Sequence, residues 1–330
     1  MRYVHNSALS AYWYPVAEHA DVGADPVPVT LLGDRFVLWR TDAGVSAARD
    51  RCPHREMPLS IGCVDEAQNL RCAYHGWGFD AAGLCVDVPS SGPGAPVPPT
   101  AHLHGCHVQE RYGLIWLCPG APVADIPVIV HDADPAFRRI NTGIEIWNAS
   151  ATRMVDNFLD ISHFPWVHTG TFGSSQATGV TSIKLVDLDR DFHGYAYAVD
   201  ASNPEEAAAT TGSAEPVVHR RMSTGFALPL LVRSTIAYED GLEHILLLCS
   251  TPVDDETSLF TFVVWRNDDF SVDAEETIAF DRAIGAEDKS MLEQVPGPLP
   301  LGRTAMVSVQ ADKPSVEWRR RFLSILDDPE

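Results

Sequence analysis

Through the first third of the chain, apolar and polar positions alternate with the short period of strands, and tight-turn residues separate the runs. Val27 to Leu32, Arg35 to Arg40 and Val45 to Arg49 are three such runs, divided by Gly33-Asp34 and Asp42-Ala43-Gly44. Both dividers are hairpin signals. Phe79 to Leu84 predicts another hairpin tip, and Gly113 to Cys118 a compact buried strand. Pro119, Pro122 and Pro127 then interrupt the pattern. Proline cannot donate to a sheet ladder, so a small β-domain is expected to close here, with residues 1–125 as the first domain and 126–330 as the second.

Beyond that boundary strands mix with helices. Arg138 to Trp147 alternates like a strand, and Ala149 to Ser162 carries a helical pattern. Further strands are predicted at residues 182–187, 194–199, 217–223, 232–238, 244–250 and 259–265. The polar, alanine-rich stretch Ser202 to Pro216 reads as an exposed loop. Ala274 to Glu293 reads as a long amphipathic helix, broken by the proline-rich Val295 to Pro300, and Ser315 to Leu326 as a last helix. Strands flanked by helices predict an α+β domain, an antiparallel sheet packed against one or two long helices.

The 330 residues, 45% of them hydrophobic, suffice for two domains with their own cores. No run approaches the roughly 18 apolar residues that span a bilayer. Met1-Arg2-Tyr3-Val4-His5 lacks the pattern of an export signal, so a cytoplasmic location is expected. A formal net charge of −21 disfavours nucleic acid and anionic membranes as partners. The seven cysteines are an odd number in a chain too long to need disulfide staples, so free thiols or metal ligands are expected. Cys63, Cys85, Cys106, Cys118 and Cys249 read as free core thiols. Cys52 and Cys72 sit beside histidines.

Cys52-Pro53-His54 is followed, after seventeen residues, by Cys72-Ala73-Tyr74-His75-Gly76-Trp77. Each segment offers one thiolate and one imidazole, the inventory of a Rieske [2Fe-2S] cluster. A tetrahedral zinc site is the alternative, but zinc sites more often pair cysteines in one knuckle and histidines in another. Gly76 and the proline-rich stretch from Pro89 to Pro99 suit a cluster held between loops.

The second informative segment runs from Asp156 to His168. On a helix, Asp160 and His163 share a face and Asn157 joins the same stripe, so Asp160 and Asn157 are candidate catalytic residues. His163 and His168 are five apart, too many for one face of a straight helix, but Pro165 should end or bend the helix between them. Two histidines and a carboxylate from elsewhere would form the facial triad of a non-haem Fe(II) oxygenase. Two histidines packing at a helix end are the plainer alternative. Asp281, Glu287, Asp288 and Glu293, on the late helix, are candidates for the carboxylate.

Together these segments resemble the Rieske oxygenases, most closely the demethylase-type monooxygenases such as dicamba and vanillate O-demethylases. The opening Tyr12-Trp13-Tyr14-Pro15-Val16-Ala17, Cys52-Pro53-His54-Arg55, His75-Gly76-Trp77 and Asn157-Phe158-Leu159-Asp160-Ile161-Ser162-His163 carry the resemblance. It implies a Rieske domain followed by a helix-grip catalytic domain, with a [2Fe-2S] cluster on Cys52, His54, Cys72 and His75. It implies a mononuclear Fe(II) on His163, His168 and a late aspartate. Glu287-Asp288-Lys289 resembles the surroundings of that ligand, which selects Asp288. It further implies a homotrimer in which Asp160 links the iron site to His75 of the neighbouring subunit. Electrons are expected from an NADH-dependent reductase, directly or through a ferredoxin. The chain shows no Gly-rich dinucleotide fingerprint, so the reductase would be a separate protein.

Phe226, Leu228, Leu230, Leu231, Leu246 and Leu248 are an apolar set expected to floor a pocket for a small aromatic or heterocyclic substrate. O- or N-demethylation with O2 is the favoured reaction, and hydroxylation of a methyl or ring carbon the alternative. A stand-alone electron carrier would need only the first segment, and a zinc-stabilised ligand-binding protein neither iron.

Overall fold

The computed structural model describes residues 2–326 apart from 93, 174–177, 181 and 303–305. It forms two compact units, Val4–Asp125 and Ile126–Glu330, and Tyr3 belongs with the second. Tyr3 is buried there against Phe322, with its hydroxyl 3.3 Å from that of Ser150.

The first unit is built from short strands: β1 (Tyr14–Glu18), β2 (Val27–Leu31), β3 (Asp34–Thr41), β4 (Gly44–Arg49), β5 (Cys63–Val64), β6 (Leu70–Arg71), β7 (Gly78–Phe79), β8 (Cys85–Asp87), β9 (His107–Arg111) and β10 (Leu114–Cys118). They make three antiparallel sheets, β1-β10-β9, β2-β3-β4 and β5-β6-β7-β8. Val37, Trp39, Leu59, Leu70 and Phe79 form a core on which Cys52 and Cys72 are seated. Cys63 is exposed rather than in the core, because β5 is a two-residue edge strand of its sheet.

In the second unit β11 (Arg138–Asn141), β12 (Glu145–Trp147), β13 (Val186–Asp187), β14 (His193–Ser202), β15 (Val217–Ala227), β16 (Leu231–Tyr238), β17 (Glu243–Pro252) and β18 (Ser258–Arg266) form one antiparallel sheet. The helices are α1 (Ala151–Phe158), α2 (Phe164–Val167), α3 (Ala208–Thr211), α4 (Glu275–Leu292) and α5 (Lys313–Leu326). Strand alternation sends even-numbered positions of β15 to β18 to one face. There Phe260, Phe262 and Val264 pack with Trp147 and with Ile278 of α4. Burial of that stripe fixes α4 over the sheet, at about 1.5–3 kcal/mol per large side chain.

Three local expectations are corrected. The stretch 138–147 is two strands, β11 and β12, both paired with β18 and separated around Gly143, whose φ is +85°. In 182–187 only Val186–Asp187 is strand. Ser202 to Pro216 is not simply an exposed loop: it contains α3 and buries Asn203, Thr210 and Thr211. Asn203 Nδ2 donates to the Ser213 and Glu215 carbonyls, and Arg266 Nη2 to that of Thr210, so this segment is pinned by polar bonds that a hydrophobic pattern does not reveal.

Candidate metal centres and active site

Two loops in the first unit are built alike. The Cys52 N–H donates to the Met57 carbonyl and the Glu56 N–H to that of Cys52; the Cys72 N–H donates to the Trp77 carbonyl and the Gly76 N–H to that of Cys72. The fourth residue after each cysteine takes the left-handed conformation, Glu56 at φ +61° and Gly76 at φ +71°. Glycine adopts that region freely and glutamate does not, so at Glu56 the loop holds a strained residue. Arg71 donates to the Gly76 carbonyl and pairs with Asp65 and Asp87, which braces the second loop.

These loops bring the four predicted ligands together. The Cys72 sulfur is near enough to Cys52 to raise its thiol, and the His54 and His75 rings lie 4.5 Å apart. Burial, reinforced by the neighbouring Cys72 sulfur, pushes the Cys52 thiol up to about 11 against the backbone N–H groups of His54 and Arg55. A thiolate here needs a cation beside it, as a cluster iron would supply. His54 stacks on Trp77 at 4.6 Å, and its buried Nδ1 has no hydrogen-bond partner among the described residues. His75 is exposed.

The second constellation is assembled from segments far apart in sequence. Helix α1 ends at Phe158, so Asp160 and His163 are not on one helix face. Asp160 instead folds a turn on itself: its carboxylate accepts from the backbone N–H groups of Ser162 (2.9 Å) and His163 (3.1 Å). Aspartate competes with helix hydrogen bonds in this way. The same carboxylate lies 3.2 Å from His163 Nδ1. Pro165 does not bend a helix but sits in the first turn of a new one, α2, where its missing N–H costs nothing. One turn later the chain returns His168, and the two Nε2 atoms face each other at 3.2 Å. Gly173 closes the loop by donating to the His168 carbonyl at 2.8 Å; a Cβ there would lie 2.3 Å from the Phe164 carbonyl.

Asp288 of α4 completes the group, its Oδ1 3.4 Å from both Nε2 atoms. The three donor atoms lie within 4.8 Å of one another. Asp288 Oδ1 is buried and has no hydrogen-bond partner among the described residues, which is costly unless a cation meets it. Burial draws His163 down, yet Asp160 and Asp288 outweigh it and carry this imidazole up to about 9. A cage that holds a proton so firmly suits a metal cation on the same nitrogen. Burial keeps His168 below its ordinary value, hence neutral and able to ligate, even beside Asp288.

The other acidic candidates, Glu287 and Asp281 on α4 and Glu293 just past its end, go elsewhere. Glu287 accepts from Gly170 N–H and Thr171 Oγ1 and lies 3.0 Å from His168 Nδ1, orienting the ring rather than joining the cluster. Asp281 lies 3.2 Å from His244 Nε2, and Glu293 accepts from the Asn148 N–H.

The histidines and Asp288 open into a cavity walled by Ile236, Leu246, Leu248, Phe260 and Phe262. Asn157 lines it as well, with a buried Nδ2 that has no partner among the described residues. Of the expected apolar set, Leu246 and Leu248 line this cavity and the other four do not. Phe226 lies at the far end of β15, under Arg321 of α5. Leu228 and Leu230 belong to the β15–β16 turn, where the Pro229 carbonyl accepts from Trp318 of α5. Leu231 is an odd position on a strand whose even positions, Ser234 and Ile236, face the cavity. Sequence reasoning missed the orienting role of Glu287, the His244–Asp281 pair and Arg220 in the cavity wall.

Residues 12–104 match the model of the Rieske [2Fe-2S] domain, and residues 147–328 match that of the vanillate O-demethylase oxygenase C-terminal domain. The chain belongs to the Rieske oxygenases. It is 32% identical to the methylxanthine N1-demethylase of Pseudomonas putida, over 94% of this chain and 88% of that protein. The dicamba O-demethylase oxygenase component of Stenotrophomonas maltophilia is 36% identical over 51% of this chain and 48% of that one. Two solved structures agree in fold. The P. putida N1-demethylase with caffeine superposes with a TM-score of 0.82 at 27% identity, covering 99% of this chain and 98% of that one. Dicamba monooxygenase bound to 3,6-dichlorosalicylic acid gives 0.81 at 25%, with the same coverage. As a Rieske oxygenase component the protein works with a [2Fe-2S] cluster and a mononuclear iron, and it needs an electron-transfer partner, O2 and an organic substrate. Among the described residues, no helix is long and apolar enough to cross a membrane.

Proposed function

We propose that this oxygenase removes an O- or N-methyl group from a small aromatic or heterocyclic substrate. The observation that carries the reading is the convergence of His163, His168 and Asp288 on the wall of an apolar cavity. Cys52 and Cys72 would hold one iron of the cluster, His54 and His75 the other, and His163, His168 and Asp288 the catalytic iron. When bound, these groups supply single-electron transfer and oxygen activation. Asp160 orients His163 and Glu287 orients His168, as outer carboxylates do for metal-bound imidazoles. The phenyl and leucyl walls exclude bulk water, and Asn157 offers a donor inside the cavity.

Methyl removal balances as follows. One oxygen atom enters a C–H bond of the methyl group, and the other leaves as water with two electrons and two protons. The hydroxymethyl product then breaks its carbon–heteroatom bond, releasing formaldehyde and the free phenol or amine. The electrons would come from a separate NADH-dependent reductase, directly or through a ferredoxin. A homotrimeric ring would bring the exposed His75 of a neighbouring subunit to Asp160, whose carboxylate already serves His163. The test is oxygen uptake by the reconstituted system across methoxy- and N-methyl aromatics, with formaldehyde measured alongside. Formaldehyde matched to substrate consumed supports methyl removal; oxygenated products that keep every carbon would identify a hydroxylase.

A further inference from the structure

Arg220 stands on β15 between its cross-strand neighbours Val199 and Tyr238, at an even position that turns it into the cavity. It is 3% exposed. Its Nε and Nη2 are buried without a hydrogen-bond partner among the described residues. Neither carboxylate that shares the cavity hydrogen-bonds Arg220: Asp281 lies 3.2 Å from His244, and Asp288 faces the two histidines. Among the described residues, the ring faces of Phe172 and Tyr238 meet the guanidinium, at 5.4 and 5.6 Å. Such contacts offset part of the cost of burying a cation but satisfy none of its N–H donors. A fixed, charged fork aimed into an apolar chamber is a receptor for a planar oxyanion.

We infer that Arg220 anchors an anionic substituent, so the substrate is an aromatic acid and not a neutral ring. The inference rests on reading this cavity as the oxidation site. Phe172 stacks on His168 at 4.8 Å and its ring also lies 5.4 Å from the Arg220 guanidinium, so one phenyl ring neighbours both groups in the cavity wall. A ring with a carboxylate on one edge and a methyl-bearing heteroatom on the opposite edge could address both groups, since Arg220 and the histidines with Asp288 line the same cavity. Uncharged residues of the same wall, Met222 and Ile236 among them, would accept the ring itself.

The test is calorimetric binding to the intact, cluster-loaded protein without O2, using 4-methoxybenzoate and its uncharged counterpart 4-methoxybenzamide. The acid is expected to bind roughly tenfold or more tighter than the amide, and R220Q to abolish that preference while R220K keeps part of it. R220M should melt no lower than the wild type, because it removes an uncompensated buried charge, and the acid should raise the melting temperature of the wild type alone. Equal affinity for acid and amide in the wild type, or an acid preference that survives R220Q, overturns the inference. Should R220Q fail to fold, the wild-type pair of probes and R220K still decide it. Formaldehyde from neutral methyl ethers with no preference for acids would sink the anion site and leave methyl removal standing. Arg220-dependent acid binding with no formaldehyde would do the reverse.

Discussion

The two metal constellations differ in how they are made. The cluster loops are local: each presents its cysteine and histidine within three residues, and each is held by the same pair of backbone hydrogen bonds. The catalytic triad is not local, since His163 and His168 reach Asp288 only after strands β13 to β18 have been laid down between them. A local site is specified by loop geometry and survives damage elsewhere in the fold. A distributed site depends on the docking of α4 over the sheet, and so on the packing of Phe260, Phe262 and Ile278.

The largest expected effect comes from breaking the distributed site at its deepest member. His168→Ala should abolish turnover and remove the mononuclear iron, while the Rieske EPR signal stays unchanged because the cluster loops belong to the other compact unit. The reciprocal variant, Cys72→Ser, should bleach the visible spectrum and end NADH-driven turnover, yet the second unit should still bind iron, measured by metal analysis. Loss of both metals from either variant would mean that the two sites are not independent.

A smaller effect is expected at the support of the triad. Glu287→Gln keeps an acceptor for Thr171 and Gly170 but no longer offers the His168 Nδ1 a carboxylate. Iron affinity should fall roughly 10- to 100-fold with the protein still folded, as outer-ligand changes do. Competitive chelation reads this, and an unchanged affinity would remove Glu287 from the site.

The smallest effect concerns a buried carboxylate that no metal compensates. Burial raises Asp156 to about 6, although Arg319 lies 3.4 Å away and pulls it down. The folded chain thus binds this proton more tightly than the unfolded chain, so stability should fall as pH rises from about 4 to about 6 and level off above. Asp156→Asn should flatten that segment of the melting profile and raise the midpoint by a few degrees at neutral pH. A variant that melts lower at neutral pH would show that the Arg319 pair outweighs the burial.

Legibility in the sequence followed the same division. The four residues of the cluster loops were evident because mixed Cys/His pairs at that spacing have few other uses. The hairpins of the first unit and the long strands of the second were read from alternation, which burial of one face enforces. The route to the second site is less legible. A helix pattern continued through Asp160 in the sequence, whereas in the structure its side chain terminates the turn. The floor of the cavity is legible in part: Leu246 and Leu248 line it, while Leu228 and Leu230 belong to the β15–β16 turn, whose Pro229 carbonyl accepts from Trp318 of α5, a turn that hydrophobicity does not encode. Arg220 was invisible for the opposite reason, since a polar residue in an alternating strand ordinarily faces water.

The central claim is that His163, His168 and Asp288, and not another carboxylate of α4, hold the catalytic iron. Iron analysis with EPR on Asp288→Ala beside Glu293→Ala tests it most directly. Asp288→Ala is predicted to retain the Rieske signal and the cluster's iron while losing all iron in excess of it, and Glu293→Ala to match the wild type. Full iron content and turnover in Asp288→Ala would contradict the account.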